Sequence, residues 1–301
     1  MNQDSKKSAF VAVIGRPSAG KSTLLNSLCG EKVAIVSPVP QTTRNAIRGI
    51  VNHERGQLVF IDTPGRHVSE KKLNRKLMDV GAKVLSEAEL VLYVLDSTRK
   101  AGEEERAVAA LLAPVADRVV AAINKIDAND ADPDAARAFL AEALPTLGDD
   151  RIVRISARKK DGIADVLAVL FALAPAGDPM YPEDYYTDQE VDFRVAEIIR
   201  EKAINRLSEE LPHSLYVEIE DTELRDEETR LWVRAFIIVE RESQKGIVVG
   251  KGGSMIKAIR LAAQKELNSI FDWKVELDLR VKVGKDWRQN DKTLRRLIDN
   301  L

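Results

Sequence analysis

The chain has 301 residues, room for about two domains of ordinary size. Hydrophobic residues make up 45% and charged residues 31%, a balance that excludes a disordered or fibrous chain. The formal net charge is −2, so any nucleic-acid contact must come from a local basic patch rather than from the molecule as a whole.

The opening MNQDSKKSAF lacks the apolar centre of a secretory signal, and no uncharged apolar run is long enough to span a bilayer. A cytoplasmic protein is expected. The single cysteine, Cys29, cannot form an internal disulfide and reads as core packing in an apolar helical stretch. His53, His67 and His213 show no metal-ligand spacing, so zinc is not expected.

Short apolar runs at 10–15 (FVAVIG), 57–62 (QLVFID), 90–96 (LVLYVLD), 118–125 (RVVAAINK) and 152–157 (IVRISA) predict buried strands. Helical segments rich in Ala, Leu, Glu and Lys lie between several of them. This alternation predicts an α/β domain over 1–175, a mostly parallel sheet with helices on both faces. Residues 47–52 predict an edge strand in a hairpin with 57–62. Pro, Gly and Asp gather in 174–190, and 176–190 reads as a linker.

From 191 to 301 the pattern is α+β. A long helix is expected over 191–211, then strands at 215–220 and 230–241. A Gly-rich turn, a helix over 254–270, a strand over 274–283 and a short basic C-terminal helix follow. Residues 190–240 hold seven basic and fourteen acidic residues (net −7), and residues 241–301 hold fourteen basic and eight acidic (net +6). The basic part contains the Gly-rich turn, which gives polyanion binding a location. An ordinary mixed-charge surface is the competing reading.

Gly15-Arg16-Pro17-Ser18-Ala19-Gly20-Lys21-Ser22 matches G-x-x-x-x-G-K-[ST] between a predicted strand and a predicted helix. Such a loop curls backbone N–H groups around a phosphate at a helix N-terminus. Lys21 is expected at the β- and γ-phosphates and Ser22 on Mg²⁺, with Thr23 next in the helix. The alternative is a chance Gly-rich turn, and the loop alone does not separate ATP from GTP.

Asn124-Lys125-Ile126-Asp127 ends a predicted strand, where open α/β sheets bind ligands. A carboxylate at Asp127 can accept from guanine N1–H and the 2-amino group, whereas adenine offers no such donor pair. Asn124 is expected to tie neighbouring loops, and Lys125 to lay its stem along the base. Ser156-Ala157-Arg158 supplies a second base loop, its N–H groups facing the guanine O6. These residues select GTP and GDP.

Asp62-Thr63-Pro64-Gly65 follows the strand at 57–62. Asp62 is placed to hold Mg²⁺ through water, and the Gly65 N–H to sense the γ-phosphate. In Gln41-Thr42-Thr43-Arg44, Thr43 ahead of Thr42 is the candidate to complete the Mg²⁺ shell with GTP bound. Lys21, Thr43, Asp62 and Gly65 are the expected catalytic set, and Ser22, Thr43 and Asp62 the metal set.

These five motifs, in this order and spacing, resemble the translation-factor-related GTPases and the Era family in particular, over essentially the whole chain. Two departures stand out. The family usually has Asn where this chain has Ser18, an Asn that in related GTPases helps bind an activating K⁺. After DTPG this chain has Arg66, where the family has an apolar residue and other GTPases place a water-orienting Gln. Slow intrinsic hydrolysis is therefore expected. Arg66 reads as a solvated surface arginine, with transition-state stabilisation as the competing role.

Gly250-Lys251-Gly252-Gly253 contains G-x-x-G between an apolar run and an apolar-periodic helix. KH domains use such a loop to clamp single-stranded backbone. Gly250, Lys251, Gly252, Gly253, Ser254 and Lys257 are the candidate RNA contacts. Trp287 is the tryptophan expected to be exposed, and Trp232 and Trp273 are expected in or beside the core. The resemblance implies a KH domain that binds the single-stranded 3′ end of small-subunit (16S) rRNA during small-subunit assembly. It also hints at a peripheral membrane association, and a monomer is expected. Competing readings are a metabolic kinase, an RNA-binding module with nucleotide as a structural ligand, and a GTPase acting through a protein partner.

Overall fold

The computed structural model describes residues 6–39, 45–62, 84–208, 211–290, 293–294 and 297. Two compact units change over between Asp188 and Gln189, and the described residues 35–39 group with the second.

The first unit is built on a six-stranded sheet. Its strands are β1 (Lys7–Ile14), β2 (Ile47–His53), β3 (Gly56–Asp62), β4 (Leu90–Asp96), β5 (Val119–Asn124) and β6 (Ile152–Arg154), in the order β2-β3-β1-β4-β5-β6. All pairs are parallel except the β2–β3 hairpin at the edge. β3, β4 and β5 are buried along their whole length, which is why they read as continuous apolar runs. β6 is shorter than predicted, because the chain folds back on itself through a Ser156–Asp161 bridge.

The helices of this unit are α1 (Lys21–Cys29), α2 (Glu103–Leu112), α3 (Pro133–Ala143) and α4 (Ile163–Leu173). Asp132 caps α3 by accepting from the Ala135 N–H at 2.9 Å, with Pro133 in its first turn. α2 opens with Glu103, Glu104 and Glu105, which suit the positive end of its dipole. A Cβ on Gly49 would lie 2.6 Å from the Cys29 Sγ, so a glycine there lets α1 seat closely on β2.

The Pro- and Gly-containing stretch read as a linker is tied down. Gln57, 0% exposed, donates to Tyr181 O (2.8 Å) and Asn52 Oδ1 (2.7 Å) and accepts from the Met180 and Tyr181 N–H groups. Further along, the Ile50 N–H donates to Tyr186 O, and Arg48 pairs with Asp188 at 3.0 Å. This stretch, up to residue 188, therefore belongs to the first unit.

The second unit has a three-stranded sheet, β7 (Tyr216–Arg225), β8 (Arg230–Val239) and β9 (Lys274–Val283). β8 is central, antiparallel to β7 and parallel to β9. Helices α5 (Val191–Ile204), α6 (Glu242–Val249) and α7 (Ser254–Ile270) accompany it. Val233, Ala235 and Ile237 of β8 pack in one core with Ile198 and Ile199 of α5, Val248 of α6 and Ile259, Ala263 and Leu267 of α7. Burying each large aliphatic side chain stabilises the fold by about 1.5–3 kcal/mol.

Three expectations change here. α5 stops at Ile204 rather than 211, capped by Asn205, a poor helix former, and Leu211–His213 forms a separate 3₁₀ turn. The apolar run before the Gly-rich turn, assigned to no element from the sequence, ends a helix, α6. Trp287 is 2% exposed and donates through its indole N–H to Ser214 O at 3.1 Å, so it is a core residue. Trp232 and Trp273 are both half-buried, and the guanidinium groups of Arg225 and Arg234 lie over the Trp232 ring at 4.4 and 4.9 Å.

Candidate nucleotide and RNA sites

Strand register brings the expected nucleotide residues to one sheet edge. Val13 is opposite Asp62, Ile14 opposite Tyr93, and Asp96 opposite Asn124. The loop after β1, the end of β3 and the end of β5 therefore converge at the C-terminal side of the strands.

The phosphate loop is tightly wedged. A Cβ on Gly15 would lie 2.5 Å from Val94 O, and one on Gly20 would lie 2.4 Å from Asn124 Nδ2. Gly20 (φ 97°) caps α1, and among the described residues no side chain caps the helix N-terminus. The Lys21 ammonium curls over the loop, donating to Gly15 O (2.9 Å) and Arg16 O (3.1 Å). Burial lowers its pKa, and the carboxylates of Asp62 and Glu105 oppose that shift. Pro17, Ser18 and Ala19 complete the turn, with Ser18 at φ 63° in the left-handed region.

Ser22 Oγ donates to Asp62 Oδ2 at 2.6 Å. Two hard oxygen ligands thus meet beside the phosphate loop, a donor pair that fits Mg²⁺. Thr23 accepts a hydrogen bond at its carbonyl from Ser27 Oγ (3.0 Å), within α1. Thr42, Thr43, Thr63, Pro64, Gly65 and Arg66 lie outside the described residues.

The base-reading loops are joined to the phosphate loop. Asn124 Nδ2 donates to Ala19 O at 2.9 Å, and its Oδ1 accepts from the Ala157 N–H at 3.0 Å. Ser156 Oγ donates to Asp127 Oδ1 at 2.6 Å and accepts from the Lys159 N–H at 3.1 Å. That hydroxyl bond holds the Asp127 carboxyl below the ordinary carboxylate range, with lesser help from Lys159 and Arg158. The Ser156 and Ala157 N–H groups are engaged with Asp161 O and Asn124, so in this structure neither turns to a base as expected.

Sequence reasoning missed a buried ionic group behind the loop. Lys125, at φ 68°, directs its ammonium to Asp96 Oδ2 at 2.7 Å. Arg16 reaches the same oxygen at 3.3 Å and Glu105 at 3.0 Å. Asp96 and Glu105 are far from either motif in sequence, and only strand pairing and the seat of α2 bring them there. Burial works against ionised Asp96, but bonds from Lys125 and Thr98 outweigh it and hold the carboxyl low.

In the second unit, α6 ends at Gly250 (φ 72°), a 3₁₀ turn covers Lys251–Gly253, and α7 begins at Ser254. Gly252 and Gly253 also have positive φ, and a Cβ on either would meet nothing within 4 Å. Gly250 is different, because a Cβ there would lie 2.8 Å from that of Met255. Lys251, Ser254 and Lys257 are exposed around the turn. Gln244 fixes α6 by accepting from the Glu240 and Arg241 N–H groups and donating to Ser214 Oγ. No described helix is long and apolar enough to cross a membrane.

Comparison with known proteins agrees with this arrangement. Residues 10–125 match the family described as 50S ribosome-binding GTPase, and residues 210–288 match the KH domain. The GTPase Era of Treponema denticola is 51% identical over 290 residues, covering 96% of this chain and 99% of that protein. The GTPase Era of Borreliella burgdorferi is 47% identical over 293 residues, covering 97% and 100%. A crystal structure of an Aquifex aeolicus Era variant bound to GDP·AlF₄⁻ gives a TM-score of 0.91 at 34% identity, covering 96% of this chain and 98% of that one. Era in complex with MgGDPNP and nucleotides 1506–1542 of 16S ribosomal RNA matches with the same TM-score, identity and coverage. With half its residues shared along nearly the full length of such a relative, and with both domains in the same order, the chain belongs to the Era family of GTPases.

Proposed function

We propose that the protein is a GTP-hydrolysing switch that binds the 3′ end of 16S rRNA and assists assembly of the small ribosomal subunit. The observation that carries the nucleotide half is the joined base site. Ser156 sets the Asp127 carboxylate, and Asn124 ties that loop to the phosphate loop. The RNA half is supported by the open Gly252–Gly253 surface between two helices, and by the relative in complex with a 16S segment.

In this reading water attacks the γ-phosphorus, the bond to the β–γ bridging oxygen breaks, and GDP and phosphate leave. Lys21 balances charge on the β- and γ-phosphates, and phosphate-loop N–H groups hold them in place. Ser22 and Asp62 hold Mg²⁺, which supplies further neutralisation of phosphate charge when bound. Thr43 completes the Mg²⁺ shell when GTP is bound, the Gly65 N–H senses the γ-phosphate, and Asp127 reads guanine. Gly250, Lys251, Gly252, Gly253, Ser254 and Lys257 contact RNA backbone. The protein acts as a cytoplasmic monomer. Its peripheral membrane association rests on the resemblance alone and is tested by flotation with anionic vesicles.

The deciding experiment titrates a labelled RNA matching the 16S 3′ tail with GDP or a non-hydrolysable GTP analogue present. It compares wild type with a Lys251→Asp/Gly252→Asp double variant. Tight binding that the variant loses and the nucleotide modulates supports the proposal. Binding indifferent to both removes the RNA half. Phosphate release from GTP that survives Lys21→Ala removes the hydrolytic half.

A further inference from the structure

Arg16 is the second residue of the phosphate loop, yet its side chain is buried away from the loop surface, with the residue 7% exposed. Its Nη2 lies 3.3 Å from Asp96 Oδ2 and its Nε lies 3.0 Å from Glu105 Oε2. These are charge contacts, since neither nitrogen has a hydrogen-bond partner of good geometry among the described residues. Both carboxylates are buried and held from their other sides. Tyr93 donates its hydroxyl to Glu105 Oε1 at 2.6 Å, and Thr98 donates its N–H and hydroxyl to Asp96 Oδ1 at 3.0 and 2.6 Å.

The consequential atom is Asp96 Oδ2. It takes the guanidinium of Arg16 from the phosphate loop and the ammonium of Lys125 from the base loop, the latter at 2.7 Å. A single buried oxygen therefore joins the two loops. The join is separate from the Asn124–Ala19 bond, which acts at the other end of the phosphate loop. An arginine suits this place. Its charge is fixed at all accessible pH, and its planar fork spans two carboxylates where a lysine ammonium reaches one point.

We infer that Arg16 is a positioning residue for guanine-nucleotide binding: through Asp96 it sets Lys125, and so couples the phosphate loop to the base-reading loop. Glu105 is the second anchor that keeps the guanidinium in place. This rests on the reading of Lys125 as a wall of the guanine site. Neutralising Arg16 leaves Lys125 as the one cation on Asp96 Oδ2 among the described residues, while Thr98 still holds Oδ1. The ammonium is then free to follow the carboxylate, and the base loop loses its fixed spacing from the phosphates.

The test is a double-variant cycle in GDP affinity on the full chain, using Arg16→Gln, Lys125→Met and the pair, with melting temperature measured alongside. Each single variant is expected to weaken GDP by about tenfold, and the pair by no more than about twofold beyond the weaker single, because both act through one contact. GTP turnover should show KM raised about tenfold with kcat within about threefold, the pattern of lost uniform binding. Arg16→Lys keeps the charge without the fork and should fall between wild type and Arg16→Gln. It also serves if the glutamine variant does not fold.

Strict multiplicativity of the two singles overturns the proposal. So does wild-type GDP affinity in Arg16→Gln, or a fall in kcat at unchanged KM, which would put Arg16 on the transferring phosphoryl group. Asp127→Asn is run in parallel. If it leaves GDP affinity intact, the guanine-site reading itself has failed, whatever the cycle shows.

Discussion

Ser156 and Asp127 stand 29 residues apart, yet the serine hydroxyl donates to the aspartate carboxylate at 2.6 Å. The carboxylate is thereby oriented before any base arrives. Asp127→Asn should weaken GDP by roughly 100-fold and favour a xanthine nucleotide, whose C2 carbonyl matches an amide donor. Competition binding with GDP and XDP checks this, and retained GDP affinity would sink the assignment. Ser156→Ala should return the Asp127 carboxyl upward toward its ordinary value, since the hydroxyl bond is the main cause of its depression. A carboxyl-detected NMR titration reads that shift.

Ser18 sits at φ 63° in the phosphate loop. Asn tolerates the left-handed region better than Ser, and the family usually places Asn there. Ser18→Asn should raise stability by about 0.5 kcal/mol. It should also make phosphate release respond to K⁺ where the wild type does not. Thermal melts and turnover in K⁺ against Na⁺ check the two halves separately.

The glycines of the loop between α6 and α7 should not respond alike. Gly250→Ala forces a side chain against Met255 at positive φ, and should cost about 1–2 kcal/mol of stability in the second unit. Gly252→Asn meets open space and a tolerated conformation, so it should fold normally and weaken RNA binding by obstructing phosphate approach. Chemical denaturation alongside RNA titration separates these outcomes.

Burial pushes the Cys29 thiol up to about 12. In the unfolded chain the thiol ionises near an ordinary value of about 8.5. The group's contribution to stability is therefore complete below that value and declines as pH rises through the interval up to about 12. Native protein at pH 8 should resist alkylation by iodoacetamide and react fully in denaturant. Mass spectrometry checks both, and rapid native labelling would contradict the raised thiol of this partly buried residue.

Most of the first unit was legible because buried parallel strands write themselves as apolar runs and loop motifs sit at fixed offsets from them. β3, β4 and β5 fall within a residue or so of prediction for that reason. The phosphate loop, Asn124 and Asp127 were legible because their spacing is local. Asp96 and Glu105 were not, since an acidic residue at a strand end or in a helix's first turn has ordinary uses. α6 was missed because its N-cap is Arg241, outside the usual capping residues, and its last turn is an Ile-Val-Val run that reads as strand. Trp287 was misplaced because polar neighbours surround it in sequence, whereas its partners Tyr216 and Ser214 come from the far side of β8 in chain order.

The segment that covers β2 also decides where the molecule can be divided. A fragment ending at residue 175, where composition alone would place the cut, removes the carbonyls and amides that satisfy Gln57 and Asn52. It also strips Tyr186 from the outermost strand. Such a fragment presents a raw strand edge with buried amide groups newly exposed, and self-association in solution is its expected fate. Ending the fragment at residue 188 keeps the sheet sealed.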